Sequence, residues 1–367
     1  MFSEEITLPP YPQKEDMWDR LANEKRPVVV YGMGNGADKL IEKFNEYGIE
    51  ISDFFASDGF VRGHFFHGKR VKSFSEIREE YSDFVIVLSF ASNRAEVIDM
   101  LSELNSSFDM LVPDMPVCDT TEYFDKDFYN ANYEKIRLAY DALSDEFSRS
   151  LFASIIWFKL TGKMNYIMNF TSEKSEIYSL LLPEKCRKIV DLGAYNGDTL
   201  REAKEYFPAL NEAYAVEPDN RNFKKLVKYS EAETDFKVNP INAAAWRERC
   251  VGGFSDSGNR NSTVCATASF EHKVTEVDFV SVDSLSLDGV DYIKYDVEGA
   301  EYEALIGSEN TISNCRPALL VSLYHRSRDI FFLINFLREK YPFYEMKLRR
   351  IRCLPAWEIN LILTSRT

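Results

Sequence analysis

The stretch Arg187-Lys188-Ile189-Val190-Asp191-Leu192-Gly193-Ala194-Tyr195-Asn196-Gly197-Asp198-Thr199 constrains this chain more than any other. An apolar run ends in an acid, passes a short glycine turn and enters a helical pattern. Glycine removes the Cβ from the path of an approaching ligand, so such a junction brings backbone N–H groups close to it. The next apolar run, Ala213-Tyr214-Ala215-Val216, ends in Glu217. That acid stands about 20 residues past the turn, the spacing at which a doubly wound sheet sets a carboxylate against a ribose. The two features together predict a nucleoside-cofactor site.

Composition narrows the partners. A net charge of -15 argues against nucleic-acid binding, which needs a basic footprint. It also disfavours an anionic membrane surface. No apolar run reaches the roughly 18 residues needed to span a bilayer. Met1-Phe2-Ser3-Glu4-Glu5 lacks the basic and apolar regions of a signal peptide, and a cytoplasmic protein is expected. The six cysteines form no C-x-x-C pair, so reduced packing thiols are expected rather than disulfides or zinc.

The length, 367 residues, gives a prior of two domains. We expect an N-terminal Rossmann-like α/β domain over 1–117, a helical connector over 118–182 and a second α/β domain over 183–367. In the first domain, Pro27-Val28-Val29-Val30-Tyr31 reads as a buried strand before Gly32-Met33-Gly34-Asn35-Gly36-Ala37 and a helix from Asp38 to Tyr47. Strands are expected at 49–55 and 84–88, with a helix at 94–104. In the connector, helices are expected at 125–143 and 145–160. In the second domain the expected strands are 188–192, 213–217, 236–241, 291–296, 318–324, 344–348 and 359–364. The last two follow one another with no helical pattern between. Five βα steps closed by a hairpin is the order of a class I methyltransferase sheet.

Candidate site residues follow from strand ends, where open parallel sheets bind ligands. Gly193 and Gly197 carry the tight turn, with Asn196 between them. Asp191 accepts hydrogen bonds from the loop or a ligand amino group, and Asp198 and Thr199 are placed to cap the next helix. Glu217 takes both ribose hydroxyls. Asn242 offers an adenine contact, and Asn242-Ala243-Ala244 offers small residues where the ring could enter. The turn is poor in glycine beside a G-x-G-x-x-G pyrophosphate loop, since Tyr195 stands where a third glycine would. A sulfonium cofactor has no pyrophosphate, which favours S-adenosylmethionine. On the acceptor side, Asp296 and Glu298 end the fourth strand, with roles as general base, hydroxyl binder or electrostatic support. Glu301 is expected to start the following helix. His325 ends the fifth strand, and an ordinary histidine pKa suits a base near neutral pH. Two carboxylates alone make a poor case for a metal, and none is expected. The insert 252–270 is expected to help shape the acceptor pocket.

These residues resemble the FkbM family of S-adenosylmethionine-dependent methyltransferases. The matching pieces are Asp191 to Thr199, Glu217-Pro218-Asp219, Ile293-Lys294-Tyr295-Asp296-Val297-Glu298-Gly299-Ala300-Glu301, and Tyr324-His325 followed by Asp329. The resemblance covers about residues 185–365. It implies a class I fold, S-adenosylmethionine as donor and O-methylation of a hydroxyl on a sugar, glycan or natural product. It puts Asp191, Gly193 and Glu217 on the cofactor and leaves Asp296, Glu298 and His325 toward a small-molecule or glycan acceptor; homo-oligomerisation is left open. The alternatives are a non-catalytic module that binds a nucleotide or nucleotide-sugar, and a nicotinamide-dependent enzyme using Gly32 to Ala37. The second strand of the N-terminal domain has Ala56 where a ribose acid would stand, with Asp53 and Asp58 nearby. His64 and His67, flanked by Gly63 and Gly68, read as a turn rather than a metal site.

Overall fold

The computed structural model describes residues 6–61, 63–118, 122–255, 263–264 and 274–365. Two sheets organise it, the first parallel and the second mixed. In the first, β1 (Val28–Tyr31), β2 (Asp53–Ala56), β3 (Lys72–Ser73), β4 (Val85–Leu88) and β5 (Asp109–Leu111) lie in the order β3-β2-β1-β4-β5. Strands β1, β2 and β4 are buried along their whole length, as parallel strands covered by helices on both faces must be. Period-two alternation splits them. Val29, Tyr31, Ile86 and Leu88 face one core, and Val28, Val30, Val85 and Val87 face another. Strands β3 and β5 are too short to announce themselves by periodicity.

The second sheet contains β6 (Lys188–Leu192), β7 (Glu212–Val216), β8 (Lys237–Ile241), β9 (Tyr292–Tyr295), β10 (Ala318–Ser322), β11 (Tyr344–Arg350) and β12 (Ile359–Ser365). Their order is β8-β7-β6-β9-β10-β12-β11, with β12 antiparallel to both its neighbours. The order reverses at β6, where a crevice opens at the carboxyl ends of the strands. Pro240 is tolerated because β8 is an edge strand. Between β8 and β9 the chain adds a small sheet from Ala244–Ala245, Cys250–Ser255 and Val274–Val280. Most of the insert expected at 252–270 lies outside the described residues.

Two helices join the sheets. Asp125 caps Lys126–Ala142 through the N–H of Phe128, and Asp145 caps Glu146–Thr161 through that of Ser148. The first packs on the helix Asp329–Lys340 and the second on β11. Their apolar residues (Ile136, Phe152, Ile155, Phe158) form one core with Val29 and Ile86 of the first sheet and Val190 and Ile293 of the second. Arg350, wholly buried on β11, donates from Nη1 to the carbonyls of Ile167 at 3.1 Å and Phe170 at 3.5 Å. A buried cation is tolerated when such acceptors replace its water.

Among the described residues no helix is long and apolar enough to cross a membrane.

Candidate active site

The turn after β6 is made of residues that cannot be exchanged freely. Gly193 has φ +87°, and a Cβ there would sit 1.9 Å from the carbonyl oxygen of Asp296. Only glycine lets the β6 and β9 loops meet this closely. Gly197 has φ +84°, and its Cβ would strike the Tyr229 ring at 2.7 Å. Tyr195 between them also takes a left-handed backbone, φ +48°. The turn thus has the shape of a glycine-rich loop with a tyrosine at one of its left-handed positions.

Glu217, 6% exposed, closes this turn from the end of β7. Its Oε2 accepts from the N–H of Tyr195 at 2.8 Å and its Oε1 from that of Asp219 at 2.8 Å. Burial still pushes its carboxyl up to about 7, against the pull of those two donors. Asp191 is wholly buried, and neither of its carboxylate oxygens has a hydrogen-bond partner. Burial raises its pKa to about 6, moderated by Lys294.

Register explains Lys294. It sits opposite Asp191 in the β6–β9 ladder, and Asp296 lies two residues on. Period two therefore sends all three side chains to one face. Lys294 Nζ lies 3.8 Å from Asp191 Oδ1 and 3.1 Å from Asp296 Oδ2. Burial alone would lower its pKa, but Asp296 and Asp191 outweigh it and the ammonium is held protonated. Asp296 Oδ1 also accepts from Ser322 Oγ at 3.0 Å and Tyr324 OH at 3.1 Å. Although burial opposes its charge, Lys294, His325 and these donors hold its carboxyl well below the ordinary range.

Behind Asp296 stands His325, with no exposed surface. Its Nδ1 is 2.9 Å from Glu301 Oε1, and its Nε2 is 3.4 Å from Glu298 Oε2 and 3.6 Å from Asp296 Oδ1. Burial would push the imidazole down; the three carboxylates, Glu301 first, reverse this and raise its pKa to about 10. Glu301 begins the helix Glu301–Ile306, and its Oε1 also accepts from the N–H groups of Val297 and Gly299 at 2.9 and 3.3 Å. Glu298, between those donors, has φ +52°. Its side chain is 30% exposed.

These groups surround a cleft of about 320 Å³ that the β7–β8 side, the Gly193 turn, the β9 loop and the β11–β12 hairpin enclose. Seven carboxylate side chains line it against two lysines, Lys174 and Lys294. Of the seven described non-glycine residues with positive φ, three (Tyr195, Glu298 and Glu358) line this one cleft. Left-handed backbone costs a side-chain-bearing residue free energy and concentrates where function needs it.

The structure brings Gly193, Asp198, Thr199, Glu217, Asp296 and Glu298 to the cleft wall, with Asp191 and His325 buried next to it. Several expected details change. Asp198 opens the helix Asp198–Tyr206, but the cap position is Gly197 and no side chain caps it. Asp198 Oδ1 instead accepts from the neighbouring N–H of Thr199 at 3.0 Å. Asn196 accepts from Arg201 through its carbonyl and side-chain oxygens at 3.1 and 3.2 Å. Asn242 gives its amide N–H to the carbonyls of Glu217 and Pro218 at 2.9 and 3.3 Å, so it holds the turn. Ala243 is buried away from the cleft, while Ala244 lines it as expected, joined by Ala245. The base role expected of His325 does not fit an imidazolium locked among three acids. Sequence reading gave Lys294 no role, because only the strand pairing opposes it to Asp191. It also passed over Glu358 and Asn360, which no short motif marks.

In the N-terminal unit the acids near β2 are engaged in the fold. Asp53 Oδ2 accepts from Lys72 Nζ at 2.8 Å and Tyr81 OH at 2.5 Å. Asp58 accepts from the N–H of Phe74 at 2.9 Å and the Oγ of Ser75 at 2.7 Å. His64 precedes a small hairpin, Phe65–Phe66 with Lys69–Arg70, and His67 lies in its turn; they contact Met33 and Asp38 separately. Among the described residues no cluster of His, Cys, Asp and Glu is arranged to hold a metal.

Comparison with known proteins agrees with this architecture. Residues 191–343 match the family model described as the methyltransferase FkbM domain. The crystal structure of Methyltransferase FkbM from Methylobacillus flagellatus KT is similar over 98% of this chain and 95% of its own, with a TM-score of 0.71 and 20% identity. At that identity the likeness speaks to the fold, over both sheets. SMU.1697c from Streptococcus mutans, solved in complex with SAH, aligns over 53% of this chain and 98% of its own at 10% identity and a TM-score of 0.35. Aeropyrum pernix fibrillarin, solved with S-adenosyl-L-methionine, aligns over 52% and 74% at 16% identity and a TM-score of 0.32. No curated protein matches the sequence. The crevice at the reversal point of the second sheet thus lies in the part of the chain, residues 191–343, that matches the methyltransferase FkbM domain.

Proposed function

We propose that this protein is an S-adenosylmethionine-dependent O-methyltransferase acting on a hydroxyl of a sugar, glycan or natural product. One observation carries the reading. A buried carboxylate with both oxygens unmatched, Asp191, lies next to a turn that only glycine can make and a second buried carboxylate, Glu217. A buried carboxylate without hydrogen bonds is costly unless a partner supplies donors, and Lys294 at 3.8 Å offsets that only in part. S-adenosylmethionine fits that demand, and it supplies an electrophilic methyl group on a sulfonium. Asp191 would face its ammonium and Glu217 its ribose hydroxyls. Ala244 and Ala245 are small enough to admit its base. The acidic lining favours a cationic donor over an uncharged product.

The chain's own part is alignment and proton handling. Asp296 is ionised and fixed by Lys294, Ser322 and Tyr324, so it holds a steady negative charge beside the acceptor. Glu298 takes the proton, because both oxygens of Asp296 are already engaged. An alcohol that is gaining a carbon becomes far more acidic, so a carboxylate suffices as base. His325 keeps its proton and steadies both acids.

Calorimetry with S-adenosylmethionine and its demethylated product tests the donor; no heat with either would remove the reading. Glu298→Gln should lower turnover by about 100-fold or more and leave affinity for the demethylated product unchanged.

A further inference from the structure

The family match ends at residue 343, but the cleft continues beyond it. Its far wall comes from Asn93 of the N-terminal unit and from Ile351, Glu358 and Asn360 of the β11–β12 hairpin. Sheet order separates this wall from the cofactor side. Glu217 ends β7 and Glu358 precedes β12, with β6, β9 and β10 between them. Four strand steps of ~4.8 Å place the two carboxylates roughly 19 Å apart. Asp296 ends β9, between the two. Ser322, which donates to Asp296, is the ladder partner of Asn360.

Glu358 is held in place from several directions. Its backbone is left-handed, φ +58°. Its carbonyl accepts from the N–H of Ile351 at 3.1 Å and from Asn360 Nδ2 at 3.0 Å. The same loop is tied to the N-terminal unit by paired backbone hydrogen bonds between Ser92 and Leu354, 2.7 and 2.9 Å, and by an Arg352–Asp99 ion pair at 2.5 Å. A non-glycine residue persists in this conformation only when its surroundings over-determine it. The ties bring Asn93 and Glu358 to the same end of the cleft.

We propose that Glu358 is a specificity-determining residue for the acceptor. With Asn93 beside it, Glu358 accepts hydrogen bonds from groups flanking the reacting hydroxyl. It selects acceptors that carry further hydroxyl or ammonium donors and rejects those with an anionic substituent. The charge of the site agrees: Asp296, Glu298 and Glu358 share the acceptor half, and of the two lining lysines Lys294 lies between two acids and Lys174 pairs with Glu202. An anion there meets like charge in a sheltered cleft. The N-terminal unit thereby serves the second sheet's reaction, by anchoring the hairpin that carries Glu358. This inference rests on the methyltransferase reading above.

The test uses the full chain and three sugars that share a ring but differ in one substituent: glucose, glucosamine and glucuronic acid. Binding to protein saturated with S-adenosylhomocysteine is followed by saturation-transfer NMR, and transfer of labelled methyl by scintillation. Wild type should bind and methylate glucose or glucosamine and ignore glucuronic acid. Glu358→Gln should raise KM for the accepted sugar about tenfold or more, with kcat within about threefold. Glu358→Asn tolerates a left-handed backbone and covers the case in which the glutamine variant does not fold. Asn93→Ala, at an exposed position, should raise KM several-fold. Acceptance of glucuronic acid by wild type, an unchanged KM in the variants, or failure of all three sugars with cofactor bound would overturn the proposal. Weaker S-adenosylhomocysteine binding in the Glu358 variants would also overturn it, by moving the residue to the cofactor side. Absence of S-adenosylhomocysteine binding in wild type would instead overturn the donor reading.

Discussion

The chain builds the same local device twice and equips it differently. Both β1 and β6 run into a turn with left-handed glycines and then a helix, Asn35–Tyr47 in one case and Asp198–Tyr206 in the other. In the first turn of the N-terminal helix, Gly36 is packed so tightly that a Cβ would lie 2.0 Å from the Ser89 carbonyl oxygen. That glycine serves helix–strand packing. In the second turn, Gly193 is wedged against the loop that carries Asp296 and Glu298. The strand beside each turn differs too. β2 ends in Ala56, and its nearest acids are bonded into the fold, whereas Glu217 follows β7 and reaches back to the turn. Topology alone therefore does not distinguish the two turns; the residues at two strand ends do.

That contrast can be broken by substitution. Gly193→Ala should cost about 3 kcal/mol or more and abolish cofactor binding, since a clash with backbone adds to a left-handed penalty. Gly34→Ala in the first turn has open space around its Cβ and only φ +96° to pay for. It should cost about 1–2 kcal/mol and leave cofactor affinity unchanged. Thermal unfolding and calorimetry on the pair separate the two; equal effects on binding would erase the distinction drawn here.

His325→Ala comes next. It strips the counter-charge from Glu301, Glu298 and Asp296 and should destabilise the fold by about 3–5 kcal/mol. The sign of its pH dependence follows from the raised pKa. Its stabilising contribution is complete below the unfolded histidine value and fades only as pH climbs through about 10. Denaturant unfolding from pH 7 to 10.5 should show wild type converging on the variant at the alkaline end.

A matched pair sharpens the difference between the two second strands. Glu217→Gln should weaken S-adenosylmethionine binding by about 10- to 100-fold. Asp53→Asn should cost about 1–2 kcal/mol of stability through Lys72 and Tyr81, with affinity intact. The smallest effect expected is a titration. Burial raises Asp191 to about 6 and Glu217 to about 7. Their contribution to the ligand-free fold is therefore complete below the unfolded carboxyl values and declines as pH rises through 6 to 7. A cation that pairs with the ionised forms reverses that decline. Binding of S-adenosylmethionine should strengthen a few-fold from pH 6 to 8 and release protons, read as a buffer-dependent enthalpy. Proton uptake would contradict the placement of both acids.

Much of this was legible in the chain. Continuous apolar runs at 188–192, 213–217 and 318–324 announced strands buried on both faces, and the two successive strands after residue 340 announced the hairpin. The expected acids, Asp191 and Glu217, stand next to the turn. Legibility failed where chemistry depends on what lies across a ladder. Reading along the chain gave His325 an ordinary pKa, because none of Glu301, Glu298 and Asp296 can be seen to converge on it until the β9 loop folds back. Asn242 read as a ligand contact, but the geometry of the β7 turn takes its amide first.

By itself the sequence determined the two α/β units, the glycine turn and the carboxylate at the end of β7, because strand periodicity, left-handed backbone and helix caps are local properties written in a few consecutive residues. Only the tertiary structure decided protonation and the far wall of the cleft. A pKa is set by burial and by charges from β6, β9 and β10 together, and the wall joins Asn93 to Glu358 across more than 260 residues of chain. Neither quantity exists until distant segments share one low-dielectric space.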